Sequence, residues 1–186
     1  MTSLTVFDAA TAEVRERTSD ADRIRARLQA AGIGFERWEA GVALDEAATD
    51  EAVLAAYRPQ IERLMAERGY QSVDVIHMRP DHPDRAALRE KFLHEHTHAE
   101  DEVRFFVRGC GLFSLHLGEA VYSVRCERGD LLSVPAGTPH WFDMGAAPRF
   151  TAIRLFDNPE GWIARGTGEA IAARFPRLDE ADATSA

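Results

Sequence analysis

The sequence predicts an α+β protein, mainly β, with an antiparallel barrel or sandwich at its centre and helices from its N-terminal third packed outside. Three observations point there. After residue 92, glycines at 109, 111, 118, 129, 137 and 145 divide short β-rich runs: VRFFV, LFSLHL, AVYSVRC, DLLSVP and RFTAIRLF. Short strands spaced this regularly, with turn residues between them, belong to antiparallel barrels and sandwiches. Before residue 92, longer stretches carry apolar residues at helical spacing instead. A length of 186 residues suits one domain with a substantial core.

In chain order, SLTVF reads as a strand, and DADRIRARLQAAGI as a helix opened by a capping aspartate and closed at Gly32. IGFERWEA is a second strand. From Asp45 to Gly69, Val53, Leu54, Tyr57, Ile61, Leu64 and Met65 fit one helical face. Pro59 lies inside that stretch, so two helices or a kink are expected. SVDVIHM reads as a strand and DRAALREKFL, after Pro83, as a short helix. The expected organisation is one domain over 1–178, with a helical part to about residue 90 and a barrel core over about 70–165. LDEADATSA is small and acidic, which predicts a disordered tail at 179–186.

A formal charge of -9 opposes approach to nucleic acid or an anionic membrane, leaving small-molecule chemistry or protein contacts. No run of about 18 apolar residues occurs, and the N-terminus lacks the basic start and apolar stretch of a secretory signal, so a cytoplasmic location is expected. Cys110 and Cys126 are too few for a disulfide framework and read as reduced. The acidic surface gives no reason for an obligate partner, and a monomer is expected.

The segment FLHEHTHAEDEVRFFV, residues 92 to 107, spells two overlapping metal motifs. His94, Glu95 and His98 spell HExxH, the zinc-protease helix, with Glu119 downstream as a third ligand. His96, His98 and Glu102 spell HxHxxxE, in which residues two apart share one face of a strand. The alternation from Glu102 onward favours the strand: Glu102, Arg104 and Phe106 lie on one face and Val103, Phe105 and Val107 on the other. Counting back by twos adds His98 and His96 to the first face, provided that no bulge intervenes.

GDLLSVPAGTPHWF adds a second piece: a strand, a turn at Pro135 to Gly137, and a strand opening at His140 that returns over the same interior. Three imidazoles and a carboxylate suit Fe, Ni, Mn, Co or Zn better than Ca or Mg. Four protein ligands around an octahedral ion leave two positions open for a chelating substrate.

These residues resemble the two-part cupin signature Gx5HxHx3Ex6G and Gx5PxGx2H, with Glu90 where the first part begins with glycine and Met144 where the second often ends with asparagine. Within the cupins, HTHAEDEVRFFVRGCGLF, VPAGTPHWFDMG and FTAIRLF are similar to the acireductone dioxygenase family, densely over about residues 70–165. The resemblance implies a double-stranded β-helix, the jelly-roll barrel of cupins. It implies His96, His98, Glu102 and His140 as ligands to one Fe2+ or Ni2+ per chain. It further implies cleavage of 1,2-dihydroxy-3-oxo-5-(methylthio)pentene by O2 in methionine salvage. Iron gives formate and 4-methylthio-2-oxobutanoate; nickel gives formate, carbon monoxide and 3-methylthiopropanoate.

Beside those ligands, Arg104 should face the same interior, either stabilising a substrate oxyanion or pairing with an acid such as Glu100. Arg154 shares its face with Phe150, Ala152 and Phe156 and needs a partner, either the substrate or a ligand carboxylate. Phe92, Phe142 and Trp162 are candidates for the apolar wall around a thioether tail. His94 reads as a supporting or surface histidine, since a fifth protein ligand would close a position that the chelate needs. The rival readings are another metal cupin, such as a different dioxygenase or a sugar isomerase, and a metal-bearing binding module without turnover.

Overall fold

The computed structural model describes residues 1–39, 44, 45, 47–158 and 163–179. Its strands are β1 (Ser3–Asp8), β2 (Val14–Thr18), β3 (Gly34–Arg37), β4 (Ser72–Met78), β5 (His96–Thr97) and β6 (Glu102–Arg108). They continue as β7 (Cys110–Leu117), β8 (Ala120–Glu127), β9 (Asp130–Val134), β10 (His140–Asp143), β11 (Phe150–Phe156) and β12 (Arg165–Gly166). The helices are α1 (Ala21–Ala30), α2 (Asp50–Ala56), α3 (Arg58–Arg68) and α4 (Arg85–Leu93). Trp162 and most of the acidic tail lie outside the described residues. Among the described residues no helix is long and apolar enough to cross a membrane.

Among the described residues two antiparallel sheets form. One has the order β12-β5-β10-β7-β8-β1-β2 and the other β3-β9-β6-β11-β4. Their inner faces share one apolar cluster: Leu4, Val6, Phe113, Leu115 and Phe142 from the first sheet meet Phe35, Met78, Phe106, Phe150 and Ala152 from the second. This is the antiparallel barrel that the glycine-divided runs predict, with the jelly-roll interior that the cupin resemblance implies. The strands on either side of residue 92 enter both sheets, since β1 pairs with β8 and β3 with β9.

The helices form where local chemistry allows. Asp20 caps α1 by accepting from the Arg23 N–H at 2.8 Å, and Ile24 and Leu28 then bury against the shared interior. The stretch around Pro59 splits into α2 and α3 at Tyr57. Proline is accommodated in the first turn of α3, where its missing N–H is not needed. Val53, Tyr57, Ile61 and Leu64 therefore all pack on the outer face of the five-stranded sheet, against Val103, Phe105, Val107, Leu131, Ile153 and Leu155. The outer face of the other sheet is closed by Phe175 and Ala172, which pack on Phe7, Val121 and Trp141.

The strand β2 has no buried apolar residue. In β2, VRERT, the charged side chains sit on a sheet edge, and hydrogen bonds to β1 with ion pairs from Glu16 to Arg23 and Arg27 hold it. Charged edges of this kind discourage pairing with other chains.

Candidate metal centre

Three chain segments converge inside one end of the barrel. His96 lies in β5, Glu102 opens β6 and His140 opens β10, with His140 paired directly opposite His96. The proviso attached to counting by twos matters here, because β5 and β6 belong to different sheets. The chain bends at Ala99 and Glu100 and crosses between the sheets, so His96 and Glu102 face each other across the interior rather than sharing a strand face. His98 sits at the crossing. Its carbonyl accepts from the Gly137 N–H at 2.8 Å, which ties the crossing to the turn before His140. Gly137 has φ of 75°, a conformation in which glycine carries no steric penalty.

The imidazole rings of His96, His98 and His140 lie 4.6 to 5.2 Å apart between centroids, and each offers a nitrogen within 4.8 Å of the others. All three residues and Glu102 are buried. His96 Nδ1 donates to the His94 carbonyl at 2.7 Å, and His140 Nδ1 donates to the Thr138 carbonyl at 2.8 Å. A carbonyl only accepts, so Nδ1 carries the proton, and in the neutral ring each Nε2 presents a lone pair.

Glu102 Oε2 stands 3.0 Å from His98 Nε2 and 3.1 Å from His140 Nε2. The His140 lone pair facing a carboxylate at that distance is repelled unless a cation or proton lies between them. The residues therefore fit a divalent transition metal: three imidazole nitrogens and one carboxylate oxygen, buried and converging.

The electrostatics agree. Burial pushes His96 down to about 4, which favours the neutral, ligating form. Burial raises the carboxyl of Glu102, but the Arg104 charge, with positive charge shared between the carboxylate and the His140 and His98 nitrogens, outweighs it and holds Glu102 well below the usual range.

The HExxH reading fails on backbone geometry. α4 ends at Leu93, and His94 is extended, with φ of -91° and ψ of 147°. Its imidazole is exposed and bonds Glu90 at 3.0 Å, while only its carbonyl serves the centre. Glu119 lies in the turn between β7 and β8, outside any helix.

The sequence model of the ARD/ARD' family matches residues 3–164. An acireductone dioxygenase of Cronobacter sakazakii is 60% identical over 96% of this chain and 99% of its own length. One of Yersinia pseudotuberculosis is 62% identical over the same shares. The chain belongs to the acireductone dioxygenase family. The fold agrees: an acireductone dioxygenase from Bacillus anthracis, solved with a cadmium ion in its active centre, superposes with a TM-score of 0.77. That pair is 30% identical, and the match covers 89% of this chain and 98% of that one. This family member thus carries its buried histidines and glutamate in a cupin barrel.

Around the centre, Arg104 follows Glu102 on the inner face and is buried. Its Nη2 lies 3.0 Å from Glu102 Oε1, so the acid that it meets is the candidate ligand and not Glu100. Its guanidinium rests over the Phe142 ring at 4.4 Å and the Phe113 ring at 5.2 Å. Arg154 stands opposite Arg104 in the sheet, and Asp74 of β4 holds it at 2.9 and 2.6 Å. Its carboxylate partner is therefore no candidate ligand. The register brings Asp74 directly opposite Arg154, 80 residues away in sequence.

Phe92, half-buried at the end of α4, has its ring 5.8 Å from that of His96. Phe142 is buried among Phe106, Phe113 and Phe150, so it closes the floor of the centre more than it lines an open wall.

Glu95 has no part in the strand reading. It is buried on the far side of β5 from His96, where its carboxylate accepts from Thr167 Oγ1 at 2.6 Å and meets His116 Nδ1 at 2.7 Å. Period-two alternation places it behind the ligand strand, but its partners come from β7 and the segment after β12, and sequence spacing does not show them. A cavity of about 490 Å³, lined by His77, Arg79, Arg108 and Arg149, lies at the opposite end of β6 from Glu102 and includes none of the candidate ligands.

Proposed function

We propose that His96, His98, Glu102 and His140 bind one Fe2+ or Ni2+ and that the protein cleaves acireductone with O2. The observation that carries this reading is the convergence of three imidazole nitrogens on the carboxylate of Glu102 inside the barrel, two of them fixed as Nδ1–H tautomers by backbone carbonyls. It is supported by full-length relatives named acireductone dioxygenase and by the cadmium-bearing structure of the same family. A divalent cation bound there would supply Lewis-acid charge to the substrate's oxygens.

The chain's own residues supply the rest. Arg104 keeps its charge beside the centre through Glu102, although burial lowers its pKa, and it is placed to stabilise negative charge on the enediolate. Half-buried Phe92 offers apolar surface to the methylthio tail, with Phe142 closing the floor beneath the centre. Arg154, anchored by Asp74, adds positive potential at the edge of the same inner face. We further infer a single-domain, cytoplasmic monomer, supported by two cysteines not joined in a disulfide and the acidic balance of the sequence.

The test is to load metal-free protein separately with iron and with nickel, supply acireductone, and follow oxygen uptake and products. Oxygen consumption by both forms, with carbon monoxide only from the nickel form, is expected. Unconsumed acireductone and oxygen in both would reduce the assignment to a metal-binding cupin.

A further inference from the structure

Gly111 occupies the inner face of β7, two residues before Phe113 and opposite Cys126 of β8. Its backbone lies outside the left-handed region, so the conformation does not demand glycine. Space does. A methyl group there would stand 2.4 Å from Cε2 and 2.5 Å from Cζ of Phe142, and 3.2 Å from Cζ of Phe106. Carbon atoms in contact settle at ~3.5–4.0 Å, so an alanine requires the Phe142 ring to shift by about an ångström.

That ring has nowhere neutral to go. Its neighbours are Phe113 at 4.7 Å and Phe150 at 6.0 Å between centroids, and the Arg104 guanidinium stands 4.4 Å over its face. Phe106 and Phe113 are fully buried, and interiors packed to crystal-like density transmit such a displacement instead of absorbing it. The side chain that closes the sequence of contacts is Arg104, whose Nη2 meets Glu102 Oε1 at 3.0 Å.

We propose that Gly111 is a positioning residue for the reaction: the absence of its side chain seats the Phe142 ring at the height that holds the Arg104 guanidinium against Glu102. This deepens the dioxygenase reading and rests on it for the kinetic consequence. The bland alternative is that Gly111 merely fills the core without strain, in which case its substitution would change stability and leave the position of Arg104 alone.

A double-mutant cycle separates the two, because leucine at 142 removes the ring atoms that the methyl group would strike. Gly111→Ala, Phe142→Leu and the double variant are compared for metal content, thermal stability, kcat and KM. The Nε–H resonance of Arg104, assigned in 15N-arginine-labelled, zinc-loaded protein, reports the ring current of Phe142 independently of turnover.

Gly111→Ala should keep wild-type metal content, lose on the order of tenfold to a hundredfold in kcat/KM, and shift the Arg104 resonance. In the Phe142→Leu background the same glycine change should cost less than about twofold in kcat/KM. If Gly111→Ala fails to fold, the double variant should fold and match Phe142→Leu in kinetics and in the Arg104 resonance. An unmoved Arg104 resonance in a folded Gly111→Ala protein, or an equal cost of the change in both backgrounds, would overturn the proposal. Wild-type protein that leaves acireductone unconsumed with either metal would instead sink the dioxygenase reading, and the resonance would still decide the positioning role.

Discussion

Along β6, Val103, Phe105 and Val107 point outward against α2 and α3, while Glu102, Arg104 and Phe106 point into the barrel. The outward side chains meet Trp38, Tyr57, Ile61 and Leu64, with Phe105 stacked on Trp38 at 4.8 Å. Each such burial stabilises by about 1.5–3 kcal/mol. The inward face buries a carboxylate and a guanidinium at 3% and 6% exposure, and desolvation costs several kcal/mol per ion, which their pairing only partly offsets. One strand therefore anchors the fold with one face and carries its chemistry on the other. The difference teaches that burial alone does not separate core from site; what separates them is whether the buried group needs a partner.

That contrast breaks most visibly at Phe105. Phe105→Ala should lower unfolding free energy by about 3–5 kcal/mol in denaturant titrations, because it empties a packed outer cluster. Metal bound per folded molecule should not change. A loss of metal stoichiometry in the folded fraction would show that the two faces are not independent.

On the inner face the reverse is expected. Arg104→Ala should retain metal and lose turnover by on the order of 10²–10³-fold, and Arg104→Lys should recover only part, since an ammonium lacks the planar fork. Steady-state kinetics with parallel metal analysis checks this, and full turnover in metalated Arg104→Ala protein would assign the residue to structure.

Asp143 sharpens the comparison, since it is a buried acid of β10 that serves the fold. Burial raises its carboxyl, but hydrogen bonds from Arg89 and from the Leu178 and Gly145 N–H groups outweigh this and hold it below the usual range. A depressed folded pKa means that its stabilisation is present above the unfolded value of about 3.9 and is lost as pH falls through the folded one. Asp143→Asn should therefore lower Tm at neutral pH, with a difference from wild type that shrinks below about pH 4. A Tm gap independent of pH would contradict that account.

The smallest effect belongs to His94. Its ring is exposed, and only its carbonyl reaches the centre, so His94→Ala should leave metal content, turnover and Tm unchanged.

The sequence spacing showed much of this arrangement and missed parts for definite reasons. Alternation in VRFFV named both faces of β6, and the turn at Pro135 to Gly137 announced the return of His140. Pro59 announced the division between α2 and α3. The crossing at Ala99 and Glu100 was not visible, because a bend between sheets leaves the two-residue spacing of His96, His98 and Glu102 unaltered. VRERT escaped because an edge strand held by its neighbour needs no apolar face. Asp74 as the partner of Arg154, and Thr167 and His116 as partners of Glu95, come from distant segments that only the register brings together.

The central claim is that four residues from three segments form one metal site, with HxHxxxE and not HExxH as its motif. Calorimetric titration of Ni2+ into metal-free wild type, His96→Ala, Glu102→Ala and His94→Ala tests it most directly. One ion per chain is expected for wild type and His94→Ala. For His96→Ala and Glu102→Ala the expected affinity is weakened by more than the ~10–100-fold typical of changes behind a ligand. Undiminished binding in His96→Ala together with its loss in His94→Ala would contradict the account.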